Sequence, residues 1–421
     1  MAPTPRQIVL PMQYFPGLPL RSADALEARF VAALGALLAL PLPALPVGRA
    51  RGGLLLLLQL LISPQRRRVL LSPYTLPDVV AMVRFAGGEP VFVDHCPGTT
   101  QLDAALVERH LDRRVAALLV THYHLNQAGL PQWRQRCQAV GARLLEDCAV
   151  SLGGQLPRGA NPAERCSVGL VGDAGVFSFS AFKFVNHFWG GAIVTGDPQL
   201  HAALAERLAA MPRLGPFADH TQYRGIIGFD LATRRLPFRL LTHPHLLRQR
   251  RRLGSVPSIA PPRLDSTTRQ PSLASRPGAM ALAQWHRKLR LLAPRQAHRA
   301  RLAAIYRAQL GARIVGLQDS GDGALNPEQE QLWQGSCFTN LPVAVPAERR
   351  GALQGQLLEQ GFDVGPNHYP NAHRHPSFAH CAGSSAAVDE LCATMLTLPT
   401  HLRVSPDDAH RLSAVLLQLL G

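Results

Sequence analysis

Short apolar runs alternate with helix-like segments between about residues 68 and 197, and this alternation constrains the fold more than any other feature of the chain. The segments between the first four runs carry apolar residues three to four positions apart, which is the period of an α-helix. Apolar strands separated by helices predict an α/β fold with a large, mostly parallel sheet covered by helices on both faces. The last two runs follow each other closely, which favours an antiparallel or mixed edge. The six predicted strands are 68–73, 89–94, 115–122, 142–147, 175–180 and 191–196.

The pattern also predicts how the chain is divided. Residues 1–47 are predicted to be an N-terminal arm, and residues 48–270 a large α/β domain. Its last part, about 205–270, is basic and rich in proline, and we predict a loop-like insertion or lid there. Residues 271–421 predict a linking helix followed by a smaller C-terminal α+β domain, in which a strand at about 337–346 precedes a helix.

Composition excludes several classes of protein. A chain with 47% hydrophobic and 17% charged residues is globular and not disordered. The net charge of +16 is compatible with an anionic small substrate. No nucleic-acid-binding motif accompanies the arginine runs, so we expect no nucleic-acid partner. The seven cysteines form no CxxC pair, which predicts free thiols in a reducing compartment and no zinc site.

The apolar stretches near the start of the chain do not predict a membrane span. Prolines interrupt the stretch 30–47, and the stretch 54–62 is too short to cross a bilayer. The first residues lack the basic and apolar regions of a signal peptide. We therefore expect a cytoplasmic protein.

Lys183 is one of only two lysines in the chain, the other being Lys288, although the chain has 44 basic Lys and Arg side chains. It follows the predicted strand "GVFSFS", at the edge where α/β proteins bind ligands. A lysine amine can form an imine with an aldehyde and can lose its proton when it is buried, whereas arginine does neither. Lys183 is therefore a candidate for covalent catalysis.

The residues around Lys183 match the requirements of pyridoxal 5′-phosphate. This cofactor needs an amine, an acid that keeps its ring nitrogen protonated, and a cup for its phosphate. Asp147 ends a predicted strand and is the candidate acid. Gly52 and Gly53, at the start of an apolar helix, offer backbone N–H groups to the phosphate, and Ser178 offers a hydroxyl. Each residue also has an ordinary structural explanation, so the prediction depends on the combination.

At these positions the chain resembles the DegT/DnrJ/StrS family of fold-type-I, pyridoxal-phosphate-dependent sugar aminotransferases. "ARLLEDCAVSLGG" resembles the family segment in which an aspartate, here Asp147, holds the pyridinium. "FSFSAFKFVNHFWGGAIVT" resembles the segment whose serine binds phosphate and whose lysine binds the cofactor, here Ser178 and Lys183. "EPVFVD", "GFDVGPNHYPNAHRHPSF" and "MLTLPTHLRV" resemble three further family segments.

The resemblance implies further residues and a partner. His368, Tyr369 and His373 would line the substrate cavity. Tyr74 is the candidate for the aromatic ring that stacks on the cofactor, although a strict alignment places Leu76 there. Cavities of this family lie between two subunits, which implies a homodimer.

The chain departs from the family pattern in several places. Val150 stands where a glutamine or histidine is usual, and Trp189 replaces the glutamate of a G-E-G-G segment. The phosphate-cup segment reads "RARGGLL" and lacks the usual hydroxyl residue. The separation of 36 positions between Asp147 and Lys183 is also longer than the family leads us to expect.

The resulting hypothesis is an aminotransferase that moves an amino group from glutamate or glutamine to a keto-sugar, which would be nucleotide-linked. Two alternatives stay open at this point. One is a dehydratase or another carbon-centred reaction on the same fold, against which Lys183 argues, because such dehydratases typically carry histidine there. The other is a degenerate homologue that acts as a partner protein, for which Val150 and Trp189 are the best support.

Overall fold

The computed structural model describes residues 21–158, 161–180, 183–232, 234–253, 273, 275–317, 325–362, 364–366 and 369–421. Among these residues, eight strands form one sheet in the order β1-β9-β8-β5-β4-β2-β3-β11. The strands are β1 (Leu45–Val47), β2 (Arg68–Leu71), β3 (Glu89–Phe92), β4 (Val115–Thr121), β5 (Arg143–Asp147), β8 (Ala174–Ser178), β9 (Gly191–Thr195) and β11 (Ala382–Gly383).

The sheet is mostly parallel, as predicted. The strands from β8 to β11 in this order pair in parallel, whereas β9 is antiparallel to β8 and β1 is antiparallel to β9. All six predicted strands are confirmed. Each is a short apolar run, as is typical of strands that are buried on both faces of a sheet. The short edge strands β1 and β11 were not predicted.

Apolar side chains cover both faces of the sheet. Successive residues of a strand belong to different core clusters: Leu118 packs with one cluster and Leu119 with the other. Helices α1 (Ala23–Leu38), α5 (Leu130–Val140) and α10 (Ala279–Leu289) contribute to the first cluster. Helices α2 (Ala50–Leu61), α3 (Pro77–Phe85) and α6 (Pro198–Ala209) contribute to the second. A short helix, α4 (Ala104–His110), precedes β4.

The C-terminal part of the chain forms a smaller α+β unit. Strand β10 (Asn340–Ala344) pairs antiparallel with β12 (Met395–Pro399). A separate apolar core packs this pair of strands against surrounding helices. The helices of this part are α11 (Leu292–Leu310), α12 (Pro327–Gly335), α13 (Ala347–Glu359), α14 (Ala386–Thr394) and α15 (Pro406–Leu420).

The prediction of a loop-like segment at about 205–270 is wrong for the part that the structure describes. Helices α7 (Pro216–Ala232), α8 (Arg235–Pro237) and α9 (His243–Leu253) occupy this stretch, with a π-helical turn at Phe238–Thr242. Pro216 is the first residue of α7, where the missing N–H group has no helical partner to lose. Pro244 lies just after the π-helical turn within a continuous helical run from Arg235 to Leu253, so the chain stays helical on both sides of it. Residues 254–272 and 274 lie outside the described chain.

A hairpin accounts for the long separation between Asp147 and Lys183. Strands β6 (Gln155–Arg158) and β7 (Asn161–Ser167) pair antiparallel beyond β5 and outside the main sheet. The hairpin rests on α12, where the Arg165 side chain donates to the Gln331 carbonyl at 2.8 Å. The extra residues therefore form a separate element and leave the spacing of β5 and β8 unchanged. No helix in the described chain is long and apolar enough to span a bilayer.

Candidate functional site

Asp147 and Ser178 lie at the carboxyl ends of neighbouring parallel strands. Asp147 is the last residue of β5, and its register partner on β8 is Val176. Ser178 ends β8 two residues later. Since ligands of α/β sheets bind beyond the carboxyl ends of the strands, both predicted residues are at the edge where a ligand site is expected.

Lys183 lies in the loop that follows β8 and turns back toward the same edge. Its backbone N–H donates to the Ser180 carbonyl at 3.1 Å, and the residue is only 9% exposed. The Nζ atom is 5.9 Å from the centroid of the Tyr369 ring. A buried amine therefore faces an aromatic ring that belongs to the C-terminal part of the chain.

Two basic side chains on the helices α10 and α11 hold this loop in place. The buried Lys288 amine donates to the backbone carbonyl of Asn186 and, at 3.0 Å, to its side-chain oxygen. The Arg295 guanidinium donates to the Phe184 carbonyl at 3.2 Å. These bonds fix the residues directly after Lys183, so the position of its amine depends on α10 and α11.

Burial changes the pKa of both charged groups at the strand ends. It lowers the pKa of Lys183 from 10.5 to about 8, and the Asp147 carboxylate opposes this shift. It raises the pKa of Asp147, while the Ala149 N–H group, Lys183 and His122 act in the opposite direction. Each group therefore influences the ionisation of the other, as expected for an amine and a carboxylate that share one buried site.

The backbone around Asp147 is fixed by hydrogen bonds. The Ala149 N–H donates to Asp147 Oδ1 at 3.0 Å, and the His122 N–H donates to the Asp147 carbonyl at 3.0 Å. Both contacts hold the carboxylate at the end of β5 with a defined orientation.

His122, Glu146 and Cys148 form a buried group whose ligand atoms lie within 4.8 Å of one another. Their polar atoms are already engaged. The Gln127 N–H donates to His122 Nδ1, so Nε2 carries the proton and donates to Glu146 at 2.9 Å. Glu146 also accepts the N–H groups of Gly169 and Gly172. Burial raises the pKa of the Cys148 thiol, which opposes the thiolate that a metal would need. We therefore interpret these three residues as a structural hydrogen-bonded network and not as a metal site.

The glycines of "RARGGLL" are tightly packed in the first turn of α2. A Cβ at Gly52 would come within 1.9 Å of the Leu273 carbonyl oxygen. A Cβ at Gly53 would meet the side chains of Ile193 and Val47 at 3.1 and 3.2 Å. The Gly53 N–H donates to the Arg49 carbonyl at 3.1 Å, whereas the N–H groups earlier in the turn have no partner within the helix.

Three tyrosine rings lie together between the large sheet and the C-terminal part. The ring centroids of Tyr74 and Tyr369 are 5.5 Å apart, and those of Tyr74 and Tyr123 are 5.2 Å apart. Tyr123 donates to the Tyr74 carbonyl at 2.6 Å, and Val150 packs in the same cluster. These residues line a cavity together with Thr100, His124, Thr339, Asn340, Pro342, Met395 and Thr397. Tyr123 was not predicted, although it lies two residues after the end of β4, at the same strand edge as Asp147.

The predicted substrate residues are not all in one place. Tyr369 lines the cavity. His373 lies against the Phe92 ring, with centroids 4.6 Å apart, and its ring nitrogens bond to Ser385 and to the Cys381 carbonyl. His368 lies outside the described residues. The structure thus brings Tyr369, but not His373, to the cavity lining.

Comparison with known proteins decides the family. The profile of the DegT/DnrJ/EryC1/StrS aminotransferase family matches residues 21–231 and 278–417, which is most of the chain. The chain belongs to this family. The family and its fold are those of pyridoxal-phosphate enzymes. The predicted membership is therefore confirmed.

Curated relatives of this DegT-family chain match over part of their length. An L-glutamine:2-deoxy-scyllo-inosose aminotransferase of Streptomyces paromomycinus is 36% identical over 29% of this chain and 27% of its own length. A UDP-N-acetyl-3-dehydro-alpha-D-glucosamine 3-aminotransferase of Acidithiobacillus ferrooxidans is 30% identical over 38% of this chain and 42% of its own length. The matches thus span less than half of either relative.

Solved structures match this DegT-family chain over nearly its whole length. Helicobacter pylori PseC, an aminotransferase involved in the biosynthesis of pseudoaminic acid, has a TM-score of 0.68 at 16% identity and covers 94% of this chain and 91% of its own. The aminotransferase TlmJ from Streptoalloteichus hindustanus has a TM-score of 0.68 at 20% identity and covers 98% of this chain and 100% of its own. The predicted fold-type-I architecture is confirmed.

Proposed function

We propose that this protein is a pyridoxal-phosphate-dependent aminotransferase that moves an amino group from glutamate or glutamine to a keto-sugar. One observation carries the proposal: in a chain of this family, a buried lysine lies in the loop directly after β8, and β8 pairs with the strand that ends at Asp147. The curated relatives named above act on an inosose and on a UDP-linked dehydrosugar. They support a keto-sugar as the acceptor.

The described residues fit pyridoxal phosphate. The cofactor supplies an aldehyde for covalent attachment and a ring that takes up the electrons of a broken Cα–H bond. Asp147 has the position and charge to hold the proton of the ring nitrogen. The first turn of α2 offers free N–H groups to a phosphate, and Nη1 of Arg49 beside it is buried without a hydrogen-bond partner.

Lys183 is the residue that we expect to carry the cofactor and to move the proton. With a pKa of about 8, about one Lys183 amine in ten is neutral at pH 7, compared with fewer than about one in a thousand for an ordinary lysine. A neutral amine is both the nucleophile and the base that transamination requires. The bonds from Lys288 and Arg295 to the loop would keep that amine at a fixed place while it accepts and returns the proton.

The side chain of Val150 bears on the pH dependence of the proposed reaction. It is buried in the tyrosine cluster where other family members carry an amide or imidazole. Its side chain excludes water from this side of the site but cannot donate a hydrogen bond. We therefore expect the neighbouring charged groups, Lys183 and Asp147, to set most of the pH dependence.

Borohydride trapping tests the proposal, because the chain contains only two lysines. We expect purified protein loaded with pyridoxal phosphate to be yellow, and reduction to leave one pyridoxyl-phosphate group, attached through a secondary amine, on the peptide that contains Lys183. The Lys288 peptide is the internal control: its amine is fully buried and bonded to Asn186, so it should stay unmodified. A label on Lys288, or none on either peptide, would contradict the proposal.

Two further measurements separate the alternatives. In Lys183→Arg, we expect the positive charge and the fold to remain while the covalent link and transamination are lost. Bleaching of the yellow colour by glutamate or glutamine supports aminotransfer. Bleaching only by a sugar substrate favours a carbon-centred reaction, and a protein that never takes up the cofactor favours a partner role.

We also propose that the protein is a homodimer, on the basis of the family resemblance. Its cytoplasmic location stays a prediction.

A further inference from the structure

Two of the departures from the family pattern contact each other. Arg49 belongs to the altered phosphate-cup segment, and Trp189 replaces the glutamate of G-E-G-G. The central guanidinium carbon of Arg49 lies 3.8 Å from the centroid of the Trp189 ring, which is the geometry of a cation–π contact. The two substitutions, 140 positions apart, therefore form one structural unit, which we call the Arg49–Trp189 pair.

The Arg49–Trp189 pair lies where the first turn of α2 meets the end of β8. Arg49 is the N-cap residue of α2. Gly191, two residues after Trp189, is the register partner of Ser178. A Cβ at Gly191 would come within 2.7 Å of the Ala50 Cα atom, so the helix start rests directly on this strand. The arginine, the helix N-terminus and the Ser178 strand end thus converge.

Arg49 has a charge without a matching anion. Arg51, two residues later, forms an ion pair with Asp78 at 2.7 Å. Among the described residues, no carboxylate forms an ion pair with Arg49, and its Nη1 is buried without a hydrogen-bond partner. Burial, followed by repulsion from Arg51, lowers the pKa of Arg49 to about 10, and the attraction of Asp78, which is ion-paired with Arg51, offsets only part of this shift. A buried donor without an acceptor is costly, and an anion at this place would remove that cost.

We propose that Arg49, whose guanidinium group stacks on the Trp189 ring, binds the cofactor's phosphate. The inference rests on the proposed function. The guanidinium would take the place of the hydroxyl residue that "RARGGLL" lacks, and the free N–H groups of α2 and the Ser178 hydroxyl complete the cup. A planar guanidinium can donate two parallel hydrogen bonds to phosphate, which a hydroxyl cannot.

A phosphate group at this place has two sources, the cofactor and the diphosphate of a nucleotide-linked sugar. The position of Arg49 at the start of α2, beside the Ser178 strand end, favours the cofactor. A titration with UDP as the probe distinguishes the second source.

The experiment compares two forms of the cofactor on protein freed of bound cofactor. Pyridoxal phosphate and pyridoxal, which lacks the phosphate, are titrated separately and followed by absorbance. In Arg49→Gln, we expect affinity for pyridoxal phosphate to fall about 10- to 100-fold, while affinity for pyridoxal stays unchanged. Trp189→Leu should lower the same affinity several-fold, because the guanidinium loses its support. Arg109→Gln, an exposed site on α4, removes the same charge and should change neither affinity.

Several outcomes would overturn the inference. Equal losses for both forms would mean that Arg49 acts on the fold, and no loss would mean that it does not contact the phosphate. A loss confined to UDP would assign Arg49 to the substrate. If Arg49→Gln does not fold, Arg49→Lys replaces it, with an intermediate loss specific to the phosphate form expected.

If the wild-type protein binds neither pyridoxal form, the proposed function fails, and calorimetry with inorganic phosphate decides the anion site alone. Binding by the wild type that Arg49→Gln abolishes would support the site. Equal binding by both proteins, or none by either, would refute it.

Discussion

Lys288 is the second lysine of the chain, and its burial has a measurable cost. Desolvation lowers its pKa to about 7 in the folded protein, from 10.5 for an ordinary lysine. Between these two pH values the unfolded chain binds one more proton than the folded chain. The contribution of this residue to the unfolding free energy therefore rises with pH, by at most about 1.4 kcal/mol per pH unit.

Replacing Lys288 with methionine should remove this contribution. We expect the stability of wild type relative to Lys288→Met to increase from pH 7 to about 10 and to be constant below pH 7. Urea unfolding at a series of pH values measures the difference. Arg290→Met, an exposed site next to the same helix, serves as the control and should show no such trend. A pH-independent difference for Lys288→Met would mean that the lysine is not desolvated.

At the same scale, the candidate site was only partly predictable. Lys183, Asp147 and Ser178 were predicted because each lies at a strand end, and strand ends can be located from apolar runs. Arg49 was not predicted as a site residue, since its significance depends on contact with Trp189, 140 positions later. His373 illustrates the opposite case, because its sequence motif does not reveal that both ring nitrogens are already bonded.

At the scale of elements, the packing around α2 determines which substitutions Gly52 and Gly53 tolerate. We expect Gly52→Ala to reduce stability by about 1–3 kcal/mol, because the new methyl group would meet the Leu273 backbone carbonyl, which cannot rotate away. Gly53→Ala should stay within about 1 kcal/mol of wild type. Its methyl group would meet the buried side chains of Ile193 and Val47 at 3.1 and 3.2 Å, which need to shift by only a small distance, and alanine has the higher helix propensity.

Urea unfolding of the two glycine variants provides the measurement. Each variant is the matched control of the other, since the change is identical and the sites are adjacent. Equal losses would show that the packing against Leu273 does not distinguish them.

Strands were predicted correctly where the sequence has a continuous apolar run. Elements were missed where contacts with distant parts of the chain determine the local structure. The central strands are continuous apolar runs, which is the pattern typical of strands buried on both faces of a parallel sheet. The hairpin β6–β7 lacks such a run, and its pairing is set by the fold. Strand β12 was also not predicted, although all five of its residues are buried. Helices α7 and α9 were missed because their prolines and arginines resemble a loop, although Pro216 begins α7 and Pro244 follows a π-helical turn in a continuous helical run.

At the scale of the whole molecule, we expect two copies of the chain to associate as a homodimer. Several apolar side chains on and after α7 are exposed: Phe217 is 87%, Leu236 65% and Leu241 70% exposed. Exposed apolar surface favours association. We therefore expect sedimentation equilibrium to give a mass near twice the 45.7 kDa of the chain. A mass near 45.7 kDa at all accessible concentrations would contradict the expected homodimer.

The burial of both lysines makes the outside of the described chain free of side-chain amines, even though the whole protein is strongly basic. Among the side chains, a fluorescent ester that reacts with primary amines would label Lys183 only when its amine carries no cofactor, and would not reach the fully buried Lys288. Such a dye would then report how much of a preparation is unloaded, without any knowledge of the substrate.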